Sequence, residues 1–242
     1  MPSVRIWALE SDYDQLAAQC LAEKLVAYSG HTVTVYSAGR SALSKIGKNP
    51  DDLRRAVASY LKQDACVIFV LDADSPASQA EHARQRHSWL NRVKQICQYE
   101  EFAGRVFLVE AKQEIEAWLL VDCLGITCYF ARDRYPADGR SKLKKDARFV
   151  KLIHKHQAGD TELIVEALPG GKGPKEALIK FSQEILRTLN PNLKPADVDK
   201  KCYSEKLSPE VARHIEISAT TVKRNRSLQK LGDTIVKCAS TV

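Results

Sequence analysis

Asp72 and Asp74 form an Asp-x-Asp directly behind residues 65–71 (ACVIFVL), a run that is apolar throughout. Two carboxylates that close repel each other, and one of them is driven to hold its proton. A divalent cation removes that cost. Mg²⁺ in particular favours one or two carboxylates completed by water and substrate phosphate. The same two aspartates would also serve as loop and cap residues for a following helix. Glu10 ends another apolar stretch, residues 4–9 (VRIWAL), and Asp12 and Asp14 follow it. Acids in a first helical turn are favoured by the helix dipole, which accounts for Asp12 and Asp14 but less well for Glu10. Glu114 and Glu116 open a third apolar segment, EIEAWLLVD. Carboxylates converging on one spot are what metal-assisted phosphoryl transfer needs.

The elements that must position these residues follow from periodicity. Residues 4–9 read as a strand and residues 12–28 as a helix closed by Gly30. Residues 31–37 (HTVTVYS) are a second strand, and residues 51–62 a helix opened by Pro50. Residues 65–71 have the continuous apolar character of a central strand buried on both faces. A long polar helix over 77–99, a strand over 105–109 and a helix over 114–124 complete the series. Strand and helix alternate throughout, which predicts a parallel sheet covered by helices. Ligands of such sheets sit at the carboxyl ends of the strands, and Glu10, Asp72 and Asp74 all fall there. If strands one and three are neighbours, Glu10 faces the Asp-x-Asp.

Past about residue 130 the pattern changes. Residues 132–145 are charged and broken by Pro136 and Gly139, and read as a loop. Residues 147–156 form a basic helix, 168–174 a turn-rich hinge, and 175–189 an amphipathic helix with Pro174 at its first position. Residues 190–196 read as a loop, and 208–217 and 221–238 as helices. The expected organisation is a catalytic core over 1–128 and a basic, mainly helical C-terminal part over 129–242.

Charge divides the same way. Residues 1–120 carry 14 Lys and Arg against 15 Asp and Glu, and residues 121–242 carry 23 against 15. The excess is concentrated in Arg132, Arg134, Arg140, Lys142, Lys144, Lys145, Arg148, Lys151 and Lys155. Such density neutralises phosphate in a largely sequence-independent, salt-dependent way. Tyr129, Phe130, Tyr135 and Phe149 lie among these charges, either as stacking platforms for unpaired bases or as core. A solvated basic face is the plainer alternative. The composition, 44% hydrophobic and 28% charged, is that of a folded globular protein and excludes a disordered chain. No 18-residue apolar run is present, and the first residues lack a secretory pattern, so a cytoplasmic protein is expected. Seven cysteines with no Cys-x-x-Cys pair read as reduced thiols. His154 and His156 lack neighbouring acidic or cysteine ligands and read as ordinary histidines.

Taken together, VRIWALESDYD, VIFVLDADS and EIEAWLLVD resemble the Toprim fold, the catalytic core of topoisomerases, primases and overcoming-lysogenization-defect nucleases. Glu10, Asp14, Asp72 and Asp74 stand at the family's motif positions. The stretch IEAWLLVD is similar to a signature of small bacterial Toprim-like proteins, which carry a downstream Lys-bearing helix and a Tyr-x-Lys segment. Gly173-Pro174-Lys175-Glu176 and Tyr203-Ser204-Glu205-Lys206 stand in similar places. Two loops depart from the family: Ser11 follows the strand-one Glu in place of Gly, and Ser75-Pro76-Ala77-Ser78 lacks the glycine common after the Asp-x-Asp. The resemblance covers about residues 1–125.

It implies a Rossmann-like parallel sheet of about four strands. It also implies a Mg²⁺ or Mn²⁺ site drawn from Glu10, Asp14, Asp72, Asp74, Glu114 and Glu116, with phosphodiester hydrolysis of DNA or RNA as the reaction. Lys175 becomes a candidate contact to the scissile phosphate. Arg132, Arg134, Lys142, Lys144, Lys145, Arg148 and Lys151 become candidate nucleic-acid contacts. Anti-phage defence, a homodimer and a separate ABC-type ATPase or other defence partner are further implications. The chain itself has no G-x-x-x-x-G-K-[ST] loop for a nucleotide. A regulatory or nucleic-acid-binding protein that kept the scaffold without its chemistry is the alternative.

Overall fold

The computed structural model describes residues 1–39, 50–73, 88–136, 139–164 and 173–240. Asp74, residues 77–87 of the expected long helix and residues 168–172 of the expected hinge lie outside them. The fold is α/β, built on a four-stranded, all-parallel sheet in the order β2-β1-β3-β4. The strands are β1 (Ser3–Ala8), β2 (Thr34–Ser37), β3 (Cys66–Asp72) and β4 (Val106–Ala111). The neighbouring of strands one and three is as expected, with Val4 opposite Cys66 and Ala8 opposite Val70.

Residues on β3 alternate between two cores, which explains its uninterrupted apolar run. Cys66, Ile68 and Val70 join Val4, Ile6 and Ala8 of β1 in the larger cluster. Val67, Phe69 and Leu71 join Trp7 and Leu9 in the smaller one. The smaller face is covered by α2 (Pro50–Tyr60) and α3 (Trp89–Cys97), and there Trp7 stacks on Phe69 with ring centroids 5.3 Å apart. The larger face is covered by α1 (Asp12–Ser29) together with the last helix, α12 (Arg226–Ala239). The larger core thus runs from Val4 to Cys238 and crosses residue 128 without a break. Helix α1 ends as expected at Gly30, whose φ of 71° is the left-handed conformation that glycine adopts without steric cost.

Between these covers lie α4 (Ile115–Leu119), α5 (Cys123–Phe130), α6 (Gly139–Leu143), α7 (Ala147–His156), α8 (Pro174–Leu189), α9 (Pro195–Lys201), α10 (Ser208–His214) and α11 (Ala219–Val222). Four of these correct expectations, α11 among them: it ends at Val222 and Asn225 caps α12, so the helix expected over 221–238 is two helices. The helix expected over 114–124 is two helices, because Asp122 caps the second by accepting from the Gly125 N–H at 3.0 Å. The apolar run LLVDCL hides that break, since both helices bury it. The same Asp122 carboxylate also receives the Arg140 guanidinium and, at 2.8 Å, the Glu216 N–H. A Cβ on Gly125 would stand 2.5 Å from the His214 carbonyl oxygen, so α10 closes on α5 only over a glycine. Within the expected 132–145 loop, residues 139–143 are helical, and within the expected 190–196 loop Pro195 begins α9. In both, a breaker residue stands at a helix start, where it is tolerated. Among the described residues no helix is long and apolar enough to cross a membrane.

Candidate functional site

The register of β1 on β3 carries Glu10 level with Asp72, and the Asp72 N–H donates to Glu10 Oε2 at 3.3 Å. The loop bearing Glu10 is pinned by a side chain that sequence reasoning passed over. Gln15, buried in the first turns of α1, accepts from the Ala8 N–H at 2.9 Å and donates to the Ile6 carbonyl at 3.0 Å. Ser11 caps α1. It accepts from the Asp14 N–H at 3.1 Å while its hydroxyl donates to Asp14 Oδ2 at 2.5 Å. Ser11 thereby ties down Asp14.

Asp72 reaches the next element as well. Its Oδ1 accepts from the Ile115 N–H at 3.0 Å, at the start of α4. Just before it, Gln113 has φ of 75°, the only positive φ among the described non-glycine residues. Such a conformation costs on the order of 1 kcal/mol or more and marks a turn that the surroundings enforce. Here it swings Glu114 and Glu116 back toward the rim. Glu114 accepts from the Lys175 N–H at 3.1 Å, which joins the rim to the start of α8. Glu116 is 4% exposed, and its Oε1 accepts from the Tyr203 hydroxyl at 2.9 Å. The Lys175 ammonium is ion-paired with Glu205.

These acids share one electrostatic problem. Burial first, then the carboxylates of Glu10, Asp14, Glu116 and Glu114, push the Asp72 carboxyl well above the usual carboxylate range. Burial also raises Glu116 and Asp14; the Tyr203 hydrogen bond opposes this at Glu116, and the Ser11 hydrogen bond opposes it at Asp14. Lys175, whose charge bears on Glu116 and Asp14, is engaged by Glu205. A rim of hard oxygen donors fits an oxygen-preferring dication and does not fit a soft metal. Glu10, Asp72 and Glu116 are the side chains that would hold it, with Asp14 and Glu114 beside them. Among the described residues no group of three or more His, Cys, Asp or Glu side chains is already drawn close enough to hold a metal ion. Asp74, the other half of the Asp-x-Asp, lies outside the described residues.

The sequence-predicted basic residues do not share this rim's elements; they lie on α5 to α7 and the turns between them. Arg132, Arg134, Lys142, Lys144, Lys145, Arg148 and Lys151 are all exposed. Arg148 is paired with Asp146 at 2.8 Å, and Arg134 donates to the Leu189 carbonyl at 3.0 Å. The interleaved aromatics divide. Phe149 and Tyr129 are core residues, while Phe130 and Tyr135 are partly buried. Arg132 lies over the Tyr129 ring at 4.2 Å and Arg148 over Phe149 at 5.9 Å, so each buried ring already has a guanidinium group beside it. Of the two alternatives for Phe149 and Tyr129, stacking platform or core, the structure shows the core.

Two groups of residues that sequence reasoning missed support the site. Gln15, Ser208 and Ser182 carry no signal of type or spacing. Tyr203 and Glu205 lie within residues 203–206 (YSEK), where their partners Glu116 and Lys175 could not be read off. Comparison of the chain with protein-family models, with curated proteins and with solved structures found no match.

Proposed function

We propose that the chain is a divalent-cation-dependent phosphodiesterase acting on nucleic acid, with Glu10, Asp72 and Glu116 as its metal-binding carboxylates. The observation that carries this reading is the position of Asp72. It ends a central parallel strand, where such sheets bind ligands, and it lies in the field of four further carboxylates. A bound Mg²⁺ or Mn²⁺ would supply neutralisation of that field, polarisation of a phosphoryl oxygen and a nucleophilic water at neutral pH. The chain's own residues do the rest. Asp72, held by the Ile115 N–H, and Glu10, held against β3, fix two donors on rigid strand ends. Lys175 exchanges its Glu205 partner for a phosphate oxygen of the substrate. The basic face of α6 and α7 holds the backbone of the nucleic acid through phosphate contacts, which steer and retain it without reading sequence.

A second reading is a binding or regulatory protein on the same scaffold. The lack of a preassembled three-ligand group among the described residues favours it. Incubation with plasmid and with single-stranded oligonucleotide, in MgCl₂, MnCl₂ or EDTA, separates the two. The first reading expects cleavage that needs the dication and falls roughly 100-fold or more in Asp72→Asn. Binding of nucleic acid without cleavage in any metal, together with no thermal shift on adding Mn²⁺, would establish the second.

A further inference from the structure

Glu116 is the least solvent-exposed carboxylate of the rim, and the group that holds it comes from far along the chain. Tyr203 follows α9 and is 2% exposed. Its hydroxyl lies 2.9 Å from Glu116 Oε1 and 2.6 Å from Ser208 Oγ, and Ser208 is itself fully buried. A phenol has one hydrogen. With that hydrogen given to Glu116, the Ser208 hydroxyl donates to the phenol oxygen, so the three groups form a directed chain from Ser208 through Tyr203 to Glu116. The backbone of Tyr203 is anchored too, because its N–H donates to Ser182 Oγ on α8 at 2.8 Å, and Ser182 donates on to the Ile179 carbonyl at 2.7 Å. Tyr203 is therefore held at its backbone by α8 and at its hydroxyl by Ser208 of α10, while α4 brings Glu116 to it. A tyrosine so enclosed, with its hydrogen committed, cannot approach a phosphorus atom as a nucleophile.

We propose that Tyr203, with Ser208 behind it, is a positioning residue that fixes the orientation of the Glu116 carboxylate for a divalent cation at the rim. The proposal rests on the metal-dependent reading above and assigns a second layer to it. Partners of this kind orient metal-binding side chains, and their loss typically lowers metal affinity about 10- to 100-fold.

The test measures Mn²⁺ affinity of the full chain by calorimetry and by the electron paramagnetic resonance signal of free Mn²⁺. Thermal unfolding in EDTA is followed alongside. Tyr203→Phe keeps the ring and removes the hydroxyl. The expected result is an affinity loss of about 10-fold or more, with an unfolding midpoint in EDTA close to that of the parent. Ser208→Ala should show a smaller loss in the same direction, about 3-fold, since it removes only the outer link. In a Glu116→Gln background, Tyr203→Phe should cause no further loss, because the carboxylate it orients is gone. If the parent binds Mn²⁺ and both Tyr203→Phe and Ser208→Ala bind it equally well, the positioning role is overturned while the metal site stands. If the parent binds no Mn²⁺, the metal reading falls and the role of Tyr203 falls with it. Should Tyr203→Phe unfold, Ser208→Ala alone and with Glu116→Gln decides the question.

Discussion

The two ends of β3 handle a buried aspartate in opposite ways. Before the strand, Asp64 is 3% exposed, and its carboxylate is matched inside the chain. Arg5 approaches it at 2.7 Å, and Ser3 donates to it at 2.8 Å. The Arg5 guanidinium is enclosed in turn, with the Tyr36 and Tyr60 rings 5.1 and 4.7 Å away. After the strand, Asp72 has backbone partners, but the charges that bear on it most are Glu10, Asp14, Glu116 and Glu114. One end is a closed structural pair. The other, among the described residues, sets its aspartate in the field of further carboxylates. A strand whose two ends differ so sharply in charge balance separates the part of the sheet that holds the fold from the part we propose does chemistry.

The sharpest way to break that contrast is to remove one charge at each end. Asp64→Ala strands a mostly buried guanidinium and should cost about 3 kcal/mol of stability, read by denaturant unfolding. Asp72→Asn removes one charge from a repelling group, so in EDTA it should unfold at a higher temperature than the parent. Equal destabilisation by the two substitutions would erase the distinction.

Next in size is the response to metal. At a free Mn²⁺ concentration of 100 times its dissociation constant, the parent should gain about 2.7 kcal/mol. Asp72→Asn should gain little, and Asp64→Asn should respond like the parent from its own lower baseline. Thermal unfolding in EDTA and in MnCl₂ measures all three.

The pH dependence sharpens the comparison further. Burial and neighbouring carboxylates raise Asp72, and burial raises Glu116 and Asp14. Each therefore keeps its proton in the folded chain at a pH where the unfolded chain has released it. The stability they contribute is fully present below the ordinary values of 3.8 for Asp and 4.5 for Glu. It is lost as pH rises through the higher folded values. In EDTA, the stability difference between Asp72→Asn and the parent should therefore grow as pH rises from about 4 toward neutrality. A difference that stays flat over that range would contradict the crowded rim.

The smallest effects belong to the basic face. Lys142→Ala or Lys151→Ala should reduce the salt slope of nucleic-acid binding by about 1 each. Arg148→Ala should change it less, since Asp146 already accompanies that guanidinium. Fluorescence anisotropy over a salt series reads these slopes.

Much of the frame was legible in the chain. The continuous apolar run before Asp72 identified a strand buried on both faces, and strand ends then located Glu10 and Asp72, because the carboxyl edge of a parallel sheet is fixed by topology. What the sequence hid was everything set by tertiary contact. Tyr203 reaches Glu116 across 87 positions, and no local pattern marks such a pair. Gln15 sits on the buried side of α1, and its role follows only from the strand end it meets. The break at Asp122 was masked by apolar residues on both sides, although an Asp three residues before Gly125 is an ordinary capping arrangement. Phe149 and Tyr129 were ambiguous for the converse reason: alternation of aromatic and basic residues is produced equally by an amphipathic helix and by a stacking surface.

The central claim is that the carboxylates beyond β1 and β3 take a divalent cation. Crystals of the full chain soaked in MnCl₂, with diffraction recorded at an energy where manganese scatters anomalously, test it most directly. The account predicts an anomalous peak within ligand distance, about 2.0–2.6 Å, of carboxylate oxygens from Asp72 and at least one of Glu10 and Glu116, and no such peak in Asp72→Asn. Well-diffracting parent crystals with no manganese at the rim, or with manganese only elsewhere on the surface, would contradict it.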